Sequence, residues 1–203
     1  MRKFMQVFFH LLYHPFAFTY DLVAAVVSFG QWKNWGRSIL PFINGTHILE
    51  LGHGPGHLQR FLLGRNLTLF AIDESAQMGK IAKQSIGPTQ KLCRGLAQSL
   101  PYQNESFDCI ISTFPTEYIF NQHTLSEAKR VLRNGGRLVV LPAAWPKSGF
   151  LQWLYKVTGE NQASLDEIIK TKMEQPFKNM GFQTEIKIIE VKSGRLLMVI
   201  ANK

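Results

Sequence analysis

The sequence predicts an α/β fold: a mostly parallel sheet covered by helices on both faces. Three observations carry this reading. Strand and helix signals alternate from residue 46 onward, as they do where crossover helices join parallel strands. A turn with the pattern acidic-x-Gly-x-Gly-x-Gly, Glu50-Leu51-Gly52-His53-Gly54-Pro55-Gly56, directly follows the apolar run His47-Ile48-Leu49. Near the C-terminal end, Thr184, Ile186 and Ile188 alternate with Glu185 and Lys187, Lys192-Ser193-Gly194 turns the chain, and residues 196–200 are continuously apolar. That is a hairpin with one half-exposed strand and one strand buried on both faces. With 203 residues and 45% hydrophobic content, the chain can bury one sizeable core, and its length argues against two.

Residues 4–29 come first and are rich in Phe, Tyr, Leu and Val. Gln6, His10, His14 and Asp21 interrupt the run and Pro15 divides it, so it does not read as a transmembrane span. Met1-Arg2-Lys3 gives the outline of a signal peptide, but no small-x-small cleavage site follows. Two short helices are expected, covering a pocket or lying partly in a membrane interface. Residues 1–40 are therefore set apart as a helical lid or membrane-facing extension, and 41–203 as the main domain.

The glycine turn carries the chemistry. Three alternating glycines after a strand let the backbone turn sharply, approach a ligand closely and aim helix N-terminal N–H groups at it. A dinucleotide fingerprint needs Gly-x-Gly-x-x-Gly, whose third glycine would fall on His57. Glu50 at the strand end would repel a pyrophosphate and suits a ligand carrying an ammonium group, such as the methionine part of S-adenosylmethionine. Asp73 closes the next apolar run, Leu67-Thr68-Leu69-Phe70-Ala71-Ile72, where a carboxylate can accept both ribose hydroxyls.

Further along, residues 74–83 form a plausible helix despite Gly79, and Phe107-Asp108-Cys109-Ile110-Ile111-Ser112-Thr113 reads as a buried strand. Thr124 with Glu127 has capping-box spacing, and Asn134-Gly135-Gly136 supplies a stop, which predicts a helix over 124–133 and a strand over 136–141. Residues 143–155 then add three large aromatics, Trp145, Trp153 and Tyr155, with Phe150 and leucines. Cys93 and Cys109 form no metal-ligand pattern and read as reduced core residues. No metal site is expected.

These residues, in order, resemble the class I S-adenosylmethionine-dependent methyltransferases, in particular the group containing the ubiquinone/menaquinone-biosynthesis C-methyltransferases. The resemblance runs through Tyr20-Asp21-Leu22, Ser28-Phe29-Gly30 and Trp35, the 50–56 turn, and Asp73 with Met78. It continues through Ser99-Leu100-Pro101-Tyr102, Ser106-Phe107-Asp108, and Arg130-Val131-Leu132-Arg133-Asn134-Gly135-Gly136-Arg137-Leu138. It implies a Rossmann-like doubly wound sheet of seven strands, the last antiparallel and inserted beside its neighbours, and S-adenosylmethionine as cofactor. By that resemblance, Gly52, Gly54 and Gly56 line the methionine and ribose portion, with His53 between them and Glu50 meeting the amino group. Asp73 holds the ribose, Glu74 and Met78 flank the adenine, and Tyr20 closes over the methionine end. Gly95, Leu96 and Ala97 form the segment that meets adenine, and Thr113 ends the strand beside the cofactor.

Two departures stand out. Leu96 occupies a position that is often acidic in the family, which leaves the adenine amine to backbone groups or to Gln98. The loop Phe114-Pro115-Thr116-Glu117-Tyr118 replaces a Phe-Gly-Leu-Arg-Asn type of sequence in the quinone enzymes, which puts a quinone acceptor in doubt. Methyl transfer from a sulfonium is an in-line displacement whose charge disperses in the transition state, so positioning and water exclusion supply much of the acceleration. A base is needed only where the acceptor loses a proton. The catalytic candidates are His53, inside the glycine turn, and Glu117 and Tyr118, at the end of a central strand where open α/β sheets place their sites. His10, His14, His57 and His123 read as packing or surface residues.

The apolar segments 4–29 and 143–155 together suggest a small lipophilic acceptor, a cytoplasmic protein, and peripheral contact with the inner membrane face. The formal charge of +9, from 23 basic and 14 acidic residues, motivates an alternative RNA substrate. Against it, Ser112-Thr113-Phe114-Pro115 lacks the Asn/Asp of an exocyclic-amine motif, and no basic tract interleaves with stacking aromatics. A non-catalytic S-adenosylmethionine-binding or membrane-associated module is the alternative from a different class.

Overall fold

The computed structural model describes residues 31–87, 91–146 and 162–203. The expectations for residues 4–29, Tyr20 among them, and for most of 143–155 lie outside these residues. In chain order the described elements are α1 (Trp32–Arg37), β1 (His47–Leu51), α2 (His57–Leu62), β2 (Thr68–Asp73), α3 (Ala76–Ile86) and β3 (Lys91–Arg94). There follow β4 (Phe107–Thr113), α4 (Gln122–Val131), β5 (Leu132–Pro146), α5 (Gln162–Asn179), β6 (Gln183–Val191) and β7 (Gly194–Asn202).

Seven strands form one sheet in the order β3-β2-β1-β4-β5-β7-β6. The first five are parallel, and β7 is antiparallel to both β5 and β6, between which it sits. This is the expected topology, with the hairpin's second strand inserted inward. The insertion explains why residues 196–200 are apolar without alternation: β7 has a strand on each edge and core on each face, and its side chains from Leu196 to Ala201 are all buried.

Period-two alternation divides the core between the two faces. Leu49, Leu51, Ile110, Leu138 and Val140 face α4 and the end of α5, where they meet Leu125, Ala128, Val131 and Phe177. Ile48, Cys109, Ile111, Val139 and Leu141 face the other way and meet Trp35, Ile39, Leu58 and Leu62 from α1, α2 and the segment between α1 and β1. Trp35 donates through Nε1 to Ser193 Oγ at 2.8 Å, tying α1 to the β6–β7 turn. Trp35 and Ile39, on the N-terminal side of the expected boundary at 40/41, are thus part of this core. Both cysteines are free, and burial pushes the Cys109 thiol up to about 12.

Two local expectations need correction. Helix α4 begins at Gln122, not Thr124, and its cap is Asn121, whose Oδ1 accepts from His123 N at 2.8 Å. Thr124 is buried within the helix, and Glu127 is engaged elsewhere, accepting from Leu100 N at 2.7 Å and from the Arg130 guanidinium. The capping-box spacing was matched without being used, because a better acceptor stood three residues earlier. The helix also ends at Val131, since Leu132 already pairs with Phe107 in the sheet. Asn134-Gly135-Gly136 is then an irregularity inside β5, with a register shift opposite Phe107 and Cys109.

Candidate functional site

The parallel strands end on one side of the sheet, and their C-terminal ends frame an open cleft, the place where open α/β sheets bind ligands. The first wall is the glycine turn. Gly52 leaves β1 with φ +72°, and its N–H donates to Ile72 O at 2.8 Å. Gly54 has φ +52°, and a Cβ placed there would meet nothing within 4 Å, so its missing side chain leaves room for a ligand on the cleft side.

The second wall is Asp73. One carboxylate oxygen accepts from Gly54 N and the other from Ser75 N, each at 2.8 Å, so the acid is clamped to both the glycine turn and the start of α3. Ser75 caps that helix by accepting from Met78 N at 3.3 Å. Beyond it lie Glu74 and the segment Gly95, Leu96, Ala97 and Gln98. Leu96 is 51% exposed and is the one large hydrophobic residue so exposed among the described residues. It offers the cleft an apolar surface where a flat base can lie.

The third wall is the loop after β4: Thr113, Phe114, Pro115, Thr116 and Tyr118. Tyr118 stands on a short 3-10 turn, Glu117–Phe120, and its hydroxyl donates to Leu51 O at 3.1 Å and lies 3.2 Å from Ser112 Oγ. It roofs the turn so closely that a Cβ at Gly52 would come within 2.5 Å of it. Phe114 has φ +50°, a conformation unfavourable for a bulky residue. Its N–H donates to Leu141 O at 2.7 Å, and its ring stacks on Trp32 at 3.8 Å.

Of the residues singled out in the sequence, Gly52, Gly54, Asp73, Glu74, Gly95, Leu96, Ala97, Thr113 and Tyr118 line this cleft. Glu50, His53, Gly56, Met78 and Glu117 do not, each for a visible reason. Glu50 is 1% exposed and accepts from Gln59 Nε2 at 2.7 Å on the neighbouring helix. Burial pushes its carboxyl up to about 8 against the opposing pull of Gln59, so it is mostly protonated at neutral pH. The repulsion expected of a charged Glu50 is correspondingly weak. His53 is buried with Nδ1 2.7 Å from Gly54 O. A carbonyl only accepts, so Nδ1 carries the proton, and burial lowers the ring's affinity for a second one. Gly56 packs toward α3, where its Cβ would stand 3.2 Å from Ala82 Cβ. Met78 is in the core, and Glu117 is exposed at the start of the 3-10 turn.

Ile72 and Ser75 line the cleft without having been foreseen. For Ser75 the signal was present: an Asp-x-Ser step just before a helix is a capping pattern. Lys129, Arg130 and Arg133, the densest basic group, are held by internal partners. Lys129 Nζ donates to Met180 O and Gly181 O, Arg130 binds Glu127, Leu100 O and Tyr102 O, and Arg133 binds Asp108 and Glu105 O. They brace the fold.

The donor set fits S-adenosylmethionine: a clamped carboxylate for a ribose, an apolar shelf for a base and an open glycine turn between them. Together the seven-stranded sheet and this cleft define a class I, Rossmann-like methyltransferase domain. Residues 49–140 match the family model described as a methyltransferase domain. The chain belongs to that family, and within it resembles the quinone-biosynthesis group. It is 30% identical over 143 residues to the demethylmenaquinone methyltransferase of Thermotoga maritima, covering 68% of this chain and 62% of that protein. It is 31% identical over 162 residues to the ubiquinone/menaquinone biosynthesis C-methyltransferase of Paracoccus denitrificans, covering 72% and 63%. The chain spans 59% to 63% of the length of the curated relatives it matches. The fold is also that of a possible histamine N-methyltransferase from Thermotoga maritima, at TM-score 0.61 and 18% identity over 96% of this chain and 99% of that one. A putative methyltransferase from Methanococcus maripaludis is similar at TM-score 0.59 and 16% identity, covering 90% of each chain.

Proposed function

We propose that this protein transfers a methyl group from S-adenosylmethionine to a small, lipophilic acceptor. The observation that carries the reading is the convergence of Gly54, Asp73 and Leu96 with the Phe114–Tyr118 loop on one cleft at the strand ends. Bound there, the cofactor supplies an electrophilic methyl on a sulfonium. Asp73, preorganised by Gly54 N and Ser75 N, accepts from the ribose hydroxyls; Leu96 packs against the base and Gln98 meets its polar edge. Tyr118 closes the methionine end against water. Phe114 and Pro115 give the acceptor side an apolar surface, which favours a hydrophobic body over a hydrated one.

Charge disperses in the transition state of transfer from a sulfonium, so positioning and dehydration supply the acceleration. The lipophilic acceptor also draws support from the apolar composition of residues 4–29 and from the demethylmenaquinone named for the relatives. No described helix is long and apolar enough to cross a membrane, and contact with a membrane surface through residues 4–29 is part of the proposal.

The test is methyl-labelled S-adenosylmethionine supplied with a cell extract, followed by separation into lipid, small-molecule, RNA and protein fractions. Label in the lipid and apolar small-molecule fractions is expected, and Asp73→Ala should abolish it with at least a tenfold loss of cofactor affinity. Label confined to RNA overturns the acceptor assignment. Cofactor binding without turnover on any fraction would favour a non-catalytic module.

A further inference from the structure

A second cleft opens between α1 and α2 and shares Thr113 and Phe114 with the first. Its construction follows from two short helices. In α1 the buried face carries Trp35, while Trp32, Lys33, Gly36 and Arg37 border the cleft. In α2, Leu62 is turned to the core while His57, Arg60 and Phe61 border the cleft. Three cations, Lys33, Arg37 and Arg60, are exposed around this opening, and none has a carboxylate partner among the described residues. Arg37 instead lies 4.4 Å over the Phe61 ring. Three aromatic rings, Trp32, Phe61 and Phe114, line the same opening.

Several other cations of the described residues are tied down. Lys129, Arg130, Arg133, Lys178, Arg195 and Lys203 each have an acidic or carbonyl partner. Three cations gathered without a carboxylate repel one another, and a bound anion relieves that repulsion. Arginine over a ring further favours a planar acidic ligand, which can meet the guanidinium edge while its own ring stacks.

We propose that this cleft takes the methyl acceptor, and that the acceptor is a small amphiphile with an acidic group, carboxylate or phosphate, on a ring-bearing apolar body. The acid is held by Lys33, Arg37 and Arg60, the ring lies along Phe61, Trp32 and Phe114, and the reacting atom reaches Thr113, where the two clefts join. The inference rests on the methyl-transfer reading and adds the charge class of the substrate. It also assigns Phe114 a task that accounts for its positive φ: held against Trp32, its ring forms the boundary between acceptor and cofactor.

Gly36 provides a clean probe. A Cβ there meets nothing within 4 Å, and the backbone is not in the left-handed region, so Gly36→Leu fills the cleft while favouring the helix. The experiment measures the full-length protein's binding of 1-anilinonaphthalene-8-sulfonate and of uncharged N-phenyl-1-naphthylamine, a matched pair of ring systems with and without an anion. The wild type is expected to prefer the sulfonate by about tenfold or more at low salt. Lys33→Glu with Arg60→Glu should remove that preference and leave the neutral probe bound; Gly36→Leu should weaken both. Equal binding of the two probes, or sulfonate binding untouched by both variants, overturns the proposal. S-adenosylmethionine affinity, measured in parallel by calorimetry, separates the two readings. If the wild type fails to bind the cofactor, methyl transfer falls whatever the probes do; if it binds and the variants leave the probes unmoved, only the anionic cleft falls. The labelled product should be retained by an anion exchanger, and loss of retention after phosphatase treatment would identify the acid as a phosphate. A labelled product that passes through as a neutral species counts against the proposal.

Discussion

The Tyr118 hydroxyl donates to the Leu51 carbonyl oxygen at 3.1 Å, which joins the loop after β4 to the last residue of β1 across the mouth of the cofactor cleft. Ser112 Oγ donates to the same carbonyl at 2.8 Å. The hydroxyl is therefore partly redundant for Leu51, and its distinctive effect is to cover Gly52. Tyr118→Phe should cost about 1 kcal/mol of stability, the worth of one such bond. Gly52→Ala should raise the cofactor Kd at least tenfold, because the new Cβ strikes the hydroxyl and the backbone has φ +72°. Combining the two should recover part of that loss, as contacting residues are not additive. Calorimetric titration of the three variants checks this, and strict additivity would remove Tyr118 from the roof.

Glu50 makes stability fall as pH rises. Its folded pKa, about 8, stands above the ordinary value of 4.5. The folded protein then holds a proton that the unfolded chain releases, so its contribution is complete below pH 4.5 and is lost as pH climbs through 8. Glu50→Gln preserves the acceptor for Gln59 and cannot ionise. Urea unfolding should show the variant gaining on the parent between pH 5 and 8, by an amount on the order of a few kcal/mol.

Gly56 is a packing glycine, whereas Gly52 and Gly54 line the cleft. With φ +83° and 3.2 Å to Ala82 Cβ, Gly56→Ala strains the turn and pushes α2 from α3, at about 1–3 kcal/mol. Its cofactor Kd should stay within about threefold of the parent once both are folded. Gly54→Ala, on the cleft wall and with φ +52°, should cost cofactor affinity as well as stability.

Asp108 ties the start of β1 to β5. Partial burial raises its carboxyl, but the N–H groups of His47 and Thr46 and the Arg133 guanidinium outweigh that and hold it at about 2. The bonds are 2.9, 2.8 and 2.6 Å long. A depressed pKa stabilises above the unfolded value of 3.8 and is lost as pH falls through 2. Asp108→Asn should lower stability at pH 7 by about 1–2 kcal/mol and flatten the acid limb of the unfolding curve, with cofactor affinity unchanged because the residue is not on the cleft.

Much of this was legible in the chain. Strand β4 matches its apolar run from Phe107 to Thr113 residue for residue, because central strands announce themselves by apolar continuity. The meeting of Asp73 with the glycine turn was legible because it rests on backbone geometry, which short spacing encodes. Thr124 was misleading for the converse reason: capping is a competition among nearby acceptors, and Asn121 prevailed once Thr124 was buried.

By itself the sequence determined the alternation of strands and helices, a C-terminal hairpin whose second strand is buried on both faces, and a glycine turn after the first strand. Each follows from periodicity or from φ values that only glycine holds easily. The tertiary structure decided which of the turn's residues line the cleft. Glu50 went inward because Gln59 waits one helical turn into α2, Gly56 was claimed by Ala82, and Tyr118 came over Gly52 from 66 positions away. The basic cleft belongs to the same level: Lys33, Arg37 and Arg60 are scattered along the chain and become one charged opening only when α1 and α2 pack side by side. Charge and burial depend on neighbours distant in sequence, and those the fold alone supplies.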